Sequence, residues 1–384
     1  MRRYAVLALA ALLTACGGSG GSSTSTATGY FKDSNTQGVR YVSGAQTGTT
    51  GADGSFTYEV GNTVTFYVGT GTNVTLGSAT GQSVITPVDL VPSGTTAHQA
   101  VQNMTRFLMM LDTDGDPTNG ITISSNVRTA AAGWTAVDFN QTEANFNTAA
   151  APIVFSVGTA DTRTPTLPNA TTAQTHVEAT LRCARAGGFK GTYSGGGRGP
   201  VGVMVDATTG MITGYFNSTV SPMATPASIN GSTATTLDQS GSFTISSGST
   251  STGASFTGSY SSPNAVSGNW TQGTDSGTFA LSRIGGLANA VHRFTGRFLG
   301  TGYGIFTFDV DATGTVSGVA YDVSADALLT LSGTLSGNTL TGTTSNGTQI
   351  TGTLNTSTGA LSGSWTNTAL AASGTYSGGG CKLN

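Results

Sequence analysis

Charge is scarce in this sequence. Of 384 residues, 15 are Lys or Arg and 18 are Asp or Glu, so 9% carry charge, where about a quarter is usual. Only Lys32, Lys190 and Lys382 are lysines, and no basic run occurs. Phosphate binding needs clustered cations, so a nucleic-acid partner is excluded. Three His and three Glu leave little for acid–base or transition-metal chemistry. No stretch approaches the eighteen or so apolar residues of a membrane-crossing helix.

Small and hydroxylated residues take the place of charge: 57 Gly, 69 Thr and 41 Ser. Low charge with 16 Phe, 11 Tyr and 3 Trp spaced along the chain is the opposite of the disorder signature. Short alternating segments separated by Gly, Asn and Asp predict a mainly β protein.

The first residues predict an export address. Arg2 and Arg3 precede the apolar run Ala5–Leu13, which is too short to span a bilayer, and a small residue, Ala15, stands before Cys16. Leu13-Thr14-Ala15-Cys16 resembles the lipobox of bacterial lipoproteins. The resemblance implies cleavage after residue 15 and lipidation of Cys16, with the membrane as partner through that anchor. Several acyl chains on one residue hold durably where one does not. Residues 16–28 have the composition of a flexible tether. By the same resemblance, Gly17 after the cysteine implies the outer membrane, with the leaflet left open.

Residues 29–92 read as strands. Val39-Arg40-Tyr41-Val42, Ser55–Val60 and Val64–Val68 alternate in hydropathy, with the turn Asp53-Gly54 among them. The string GTTGADGSFTYEVGNTVTFYVG resembles transthyretin-like or carboxypeptidase-regulatory-like β-sandwich modules of secreted bacterial proteins. That implies a scaffold sandwich with no catalytic residues to carry over. Residues 93–185 predict a short helical connecting region. Ala97, Ala100, Val101, Met104, Phe107, Leu108 and Leu111 form a helical stripe that Thr95 or Thr96 can cap. A second amphipathic segment runs from Ala173 to Ala184. Residues 113–170 read as irregular, with short elements at Trp134–Phe146 and Ile153–Val157.

From residue 186 an internal repeat appears. Phe189-Lys190-Gly191-Thr192-Tyr193 is echoed by Phe294-Thr295-Gly296-Arg297-Phe298, Val205–Gly210 by Val310–Gly314, and Ala265–Thr271 by Ala360–Thr366. Each copy, 186–288 and 289–384, predicts an antiparallel meander closing into a barrel or sandwich. Val266, Gly268 and Trp270 share one strand face, which makes the tryptophan a core residue rather than a sugar-stacking platform. The repeats resemble the barrels of transferrin-binding-type surface lipoproteins in general pattern, without their longer motifs.

Few constellations carry chemistry. Asp112, Asp114, Asp116 and Asn119, directly after the first helix, can converge hard oxygen ligands on Ca²⁺. The loop is not an EF-hand, because the twelfth position is Ile123 instead of Glu, and it equally makes an Asx/Pro turn with solvated carboxylates. Apart from Ca²⁺ no cofactor is expected. His98, His176 and His292 fall in different segments, as structural or solvated residues. With Cys16 committed to lipid, Cys183 and Cys381 bracket the double repeat and predict a disulfide stapling its first and last strands in an oxidising compartment.

These features predict a lipid-anchored outer-membrane or surface protein with a binding, adhesive or structural role and no enzymatic activity. A glycan or surface protein suits its hydroxyl-rich surface as ligand. The alternatives are an envelope hydrolase assembled from distant Asp and Ser/Thr, and a periplasm-facing accessory subunit.

Overall fold

The computed structural model describes residues 24–220, 226–233, 242–245, 250–262, 264–286 and 292–382. The signal segment, Cys16 and the first part of the tether lie outside the described residues.

The alternating segments of the N-terminal module form strands. These are β1 (Thr26–Phe31), β2 (Thr36–Gln37), β3 (Arg40–Ser43), β4 (Gln46–Thr49), β5 (Ser55–Glu59), β6 (Thr63–Val68), β7 (Val74–Thr80) and β8 (Val84–Ile85). They make two sheets, ordered β5-β1-β8 and β4-β3-β6-β7. The sheets meet through Phe31 and Phe56, whose rings stand 4.8 and 5.1 Å from that of Phe66. The expected tether ends early, since Thr26, Ala27 and Thr28 already pair with Glu59, Tyr58 and Thr57. Gly54 holds the turn before β5 at φ +79°, where a Cβ would stand 2.3 Å from the Phe31 carbonyl oxygen.

The helical region is part of the same body. Helix α1 (Gln99–Leu111) buries Val101, Met104, Phe107, Leu108 and Leu111 in one core with the sandwich. Its N-cap is His98, whose Nδ1 accepts from the Ala100 N–H at 3.2 Å. The expected cap Thr96 instead donates its hydroxyl to Glu178. Strand β9 (Ile121–Thr122) pairs parallel with β2 and ties the Asp-rich loop to the module. Helix α2 (Ser125–Ala130) follows.

Residues 143–161 correct the sequence reading. They form one helix, α3 (Glu143–Asp161), with Pro152 inside it. Phe146, Ala150, Ile153 and Val157 lie buried along one stripe. Packing of that stripe outweighs the backbone hydrogen bond that proline removes. Helix α4 (Ala170–Arg185) is the predicted second amphipathic helix, and it buries Ala173, Val177, Leu181 and Cys183.

Among the described residues each repeat supplies eight strands. The first holds β10 (Gly187–Gly195), β11 (Gly199–Val205), β12 (Met211–Phe216), β13 (Ala227–Thr233), β14 (Ser242–Ile245), β15 (Ser255–Ser262), β16 (Ala265–Gln272) and β17 (Asp275–Ile284). They form one sheet with β13 and β14 at its ends, and the antiparallel bridge Ile229–Thr250 joins β13 to the segment between β14 and β15.

The second holds β18 (His292–Gly300), β19 (Gly304–Val310), β20 (Thr315–Asp322), β21 (Ala327–Ser336), β22 (Thr339–Thr344), β23 (Gln349–Leu354), β24 (Ala360–Asn367) and β25 (Ala372–Lys382). These close completely as an antiparallel barrel, β25 returning to β18. Apolar side chains point inward and hydroxyls such as Thr339, Thr341 and Thr351 point out. A lipid-facing barrel carries the reverse pattern. Among the described residues, no helix is long and apolar enough to cross a membrane.

The three units are welded at one junction. Met204, Tyr215, Ile284, Ile305, Tyr321 and Val323 form a common cluster between the barrels. Arg293, 1% exposed, forks onto Asp309 with two bonds of 2.8 Å and donates to the carbonyls of Ala186 and Gly286. Arg283 donates to the carbonyls of Arg185 and Ala186. The segment between α4 and β10 is therefore clasped by guanidinium groups from both barrels.

Candidate functional site

The interiors of the two barrels differ, and the second contains the candidate site. Trp270 and Trp365 are repeat counterparts, both buried, on β16 and β24. Opposite Trp270 stands Phe256, and opposite Phe256 stands Ile245. In the second barrel the same ladder positions are Ile350, opposite Trp365, and Gly342. Aligning the repeat turns after Asp206 and Asp311 makes Ala320 the counterpart of Phe216. Two rings and a branched chain are thus replaced by Ala320, Ile350 and Gly342, with Phe306 in place of Val201 restoring only part of the volume.

The first barrel retains about 20 Å³. The second retains a cavity of about 190 Å³ bounded by Phe306, Leu331, Leu340, Trp365 and Tyr376. The mouth is formed by Gly302, Ser324, Asn346 and Leu370, which belong to the β18–β19, β20–β21, β22–β23 and β24–β25 loops. All four loops lie at one rim. Cys381 and His292 lie at the other, so the mouth faces away from the junction.

The repeat tryptophans differ in their hydrogen bonding. Trp270 Nε1 donates to the Ser194 carbonyl at 2.9 Å. Among the described residues, Trp365 Nε1 and Tyr376 Oη have no hydrogen-bond partner, although their side chains are only 9% and 7% exposed. The Tyr376 hydroxyl hangs over a glycine pair: a Cβ on Gly352 or Gly363 would stand 2.2 or 2.4 Å from it. Burial pushes the Tyr376 phenol up to about 12, so it stays protonated. Asp322 is the charged group of the lining, and its carboxylate accepts from the backbone N–H groups of Ser324 and Ala325.

The Asp-rich loop is partly assembled. Asp112 caps α1 and is 1% exposed; its Oδ1 accepts from the Thr122 N–H at 2.8 Å, and its Oδ2 has no hydrogen-bond partner among the described residues. Burial, and then the neighbouring Asp114 carboxylate, raise the Asp112 pKa to about 6. Asp114 accepts from Asn119 Nδ2 and the Asp116 N–H. Asp116 turns aside to the Thr118 N–H and hydroxyl. Among the described residues, no three His, Cys, Asp or Glu side chains stand close enough to share an ion. The Asx turns are therefore present, and the four expected ligands do not converge.

A third cluster escaped the sequence reading. His176 Nε2 lies 3.4 Å from Asp33 Oδ1 and 3.5 Å from Ser34 Oγ. Asp33 is fully buried, and the Ser34 hydroxyl donates to the Pro117 carbonyl at 2.7 Å. A hydrolytic relay needs the acid on one imidazole nitrogen and the nucleophile on the other. Here both face Nε2, so the arrangement joins the β1–β2 loop to α4. Burial alone would lower the His176 pKa; the charge and hydrogen bonding of Asp33 together more than offset it, and the net displacement is upward. The signal was weak because Asp33 and His176 are 143 positions apart.

Cys183 and Cys381 are bonded, with Cα atoms 5.6 Å apart. Cys183 lies on α4, not on the first strand of the repeats, so the staple joins the helical region to β25. No protein-family model matches the chain, and comparison with curated proteins and with solved structures finds no match.

Proposed function

We propose that this chain is a lipid-anchored protein of the bacterial outer membrane whose second barrel is a small-molecule binding domain, without enzymatic activity of its own. The lipobox-like segment ending in Cys16 supports the anchor. The observation that carries the binding reading is the difference between two copies of one repeat. One barrel is packed to its centre, while the other keeps a mouth and an apolar cavity. Pockets of this kind, apolar with a few convergent polar groups, are the usual form of a small-ligand site. The hydrolase alternative has less support, because the Asp33–His176–Ser34 cluster lacks relay geometry. The hydroxyl-rich outer faces of the barrels are the surface offered to a glycan or protein partner.

The test is the melting temperature of the full chain carrying Cys16→Ser, with and without α-methylstyrene. A ligand of the native state raises it by mass action. Ala320→Phe puts into the second barrel the ring that Phe216 supplies to the first, and should remove the rise. No rise in the parent chain would overturn the binding reading.

We also infer that the Asp112–Asp114 pair takes Ca²⁺, with neighbouring carbonyl oxygens completing the shell. The support is Asp112 Oδ2, buried beside a second carboxylate and without a hydrogen-bond partner among the described residues, a placement that costs free energy unless a proton or a cation joins the two.

A further inference from the structure

We propose that the second barrel takes amphiphilic amines: an apolar ring or chain fills the cavity, and a protonated amino group at its end pairs with the Asp322 carboxylate at the mouth. This rests on the binding reading above and adds the ligand's chemistry to it.

Three observations converge. First, strand period and register aim Asp322 into the barrel. On β20, Val316 and Ala320 belong to the barrel core, and Asp322 follows at the same period of two, so it shares their inward face. It borders the cavity near the mouth residue Ser324. Its partners directly across the two adjacent strands are Gly304 and Ala327, which are too small to cover it. The Phe298 ring lies over Gly304, where a Cβ would stand 2.7 Å from it, and Phe298 borders the cavity. The aromatic wall therefore reaches the strand beside the carboxylate.

Second, the carboxylate is only half engaged. Its Oδ1 accepts from the Ser324 N–H and hydroxyl and from the Ala325 N–H, which fixes the β20–β21 turn. Among the described residues, Oδ2 accepts no hydrogen bond and no cation stands within ion-pair distance. Oδ2 faces Gly302 of the mouth, where a Cβ would stand 3.1 Å away. The packed barrel lacks this group: the alignment that matches Ala320 to Phe216 places Ser218 at the position of Asp322. Cavity and charge thus occur together in one repeat and are both missing from the other.

Third, the lining carries charge of one sign. It contains no Lys, Arg or His. An anion would enter past a like charge and remain unpaired, which burial penalises heavily. A cation gains a charge-assisted hydrogen bond, and the aromatic walls favour it over an anion. At the mouth the ammonium group keeps part of its hydration, so the desolvation that weakens buried ion pairs is reduced, while the apolar body leaves water. Size completes the description. A cavity of about 150 Å³ holds benzene, so about 190 Å³ takes a phenyl ring with a short linker.

The experiment compares 2-phenylethylamine, 2-phenylethanol and phenylacetate by calorimetric titration at pH 7 on the full chain carrying Cys16→Ser. The amine and the alcohol have the same shape and differ in ammonium against hydroxyl. At low salt the amine should bind about fivefold to thirtyfold more tightly than the alcohol, and phenylacetate more weakly than both. About 0.5 M NaCl should narrow the amine to alcohol ratio by screening. Asp322→Asn keeps the Oδ1 acceptor of the turn and should bring that ratio to about one or below, with the alcohol affinity changed by less than about threefold. Asp326 is exposed and accepts from the Tyr321 hydroxyl on the outer side of the strand, so Asp326→Asn should leave the ratio within about twofold of the parent value. If the alcohol binds and the amine binds no tighter, or if the ratio survives Asp322→Asn, the pairing is wrong while the cavity reading stands. Equal losses in the two Asp variants would trace the attraction to the general field of the rim and overturn the pairing. If neither the amine nor the alcohol binds, the cavity reading fails and this inference fails with it.

Discussion

Cys183, in the last turn of α4, is bonded to Cys381, near the end of β25, across a sequence separation of 198. The loop so closed contains both barrels. At its base, Arg293 reaches from β18 to the Ala186 carbonyl, so covalent and hydrogen-bonded closures lie side by side. The helical body, the junction and the last strand are thereby held together at the rim opposite the cavity mouth.

Reduction should therefore loosen the whole repeat unit. The chain-entropy model gives about 5 kcal/mol for a loop of this length, as an upper figure because denatured chains are already partly compact. Non-reducing mass spectrometry should find one linked peptide pair containing Cys183 and Cys381. The Cys381→Ser variant should melt lower than the parent chain and be indifferent to reductant. Two alkylatable thiols in the denatured, unreduced protein would contradict the bond.

Much of this architecture was legible in the sequence, for reasons of period and punctuation. Seven or eight short alternating segments per repeat, with Trp270 and Trp365 in phase with their glycines, were enough to indicate a barrel or sandwich and its inward faces. Helix α3 was missed because Pro152 interrupts a stripe that only tertiary packing completes. His98 as a helix cap was missed because Thr95 and Thr96, the commoner capping types, stand beside it. The cavity was illegible for a different reason. It depends on which residues face one another across strands, and Gly342 and Ala320 look unremarkable until the register sets them opposite Ile350 and Phe306.

The Asp33–His176 contact makes a pH prediction with a definite sign. Because the folded-state pKa of His176 is raised, the stabilisation is fully present below the unfolded value of about 6.5 and is lost as pH rises through the folded value. Stability should fall as pH rises above about 6.5 and through the raised folded value, and His176→Gln should flatten that fall. His292, whose pKa is displaced downward by burial and then by Lys382, titrates below this range, and Lys32 is lowered by burial to about 8. An identical slope in the variant would remove the ion pair from the account.

Calcium should stabilise the fold through the Asp112–Asp114 pair. For a dissociation constant of about 0.1–1 mM, in the range of extracellular modules, 10 mM Ca²⁺ adds about 1.5–3 kcal/mol. The melting temperature should rise on adding the ion and return with chelator, and Asp114→Ala should abolish the rise. A melt indifferent to both would leave only the Asx turns.

Cys16→Ser should release the protein from the membrane fraction or leave an uncut precursor, as fractionation and intact mass can show. A variant that still sediments with outer membrane at the native mass would remove the anchor.

The two repeat tryptophans should respond unequally to loss of the indole nitrogen. Trp270→Phe removes the donor of a 2.9 Å bond and leaves the Ser194 carbonyl, inside a packed barrel, without that partner. The cost is about 1–3 kcal/mol beyond the lost packing. Trp365→Phe deletes a donor that has no partner among the described residues and relieves its burial penalty. It borders a cavity already, so the additional void is less costly than one opened in a full core. The chain has several units, so a single unfolding midpoint would blur the comparison. Amide hydrogen exchange read by mass spectrometry on peptides of each barrel separates them. Protection in 187–284 should fall by roughly tenfold to a hundredfold in Trp270→Phe, the exchange equivalent of about 1.4–2.8 kcal/mol. Protection in 292–382 should change by less than about threefold in Trp365→Phe, within about 0.7 kcal/mol. Equal losses in the two barrels would mean that the Trp365 indole N–H is partnered in solution, and the contrast between packed and open repeats would lose its basis.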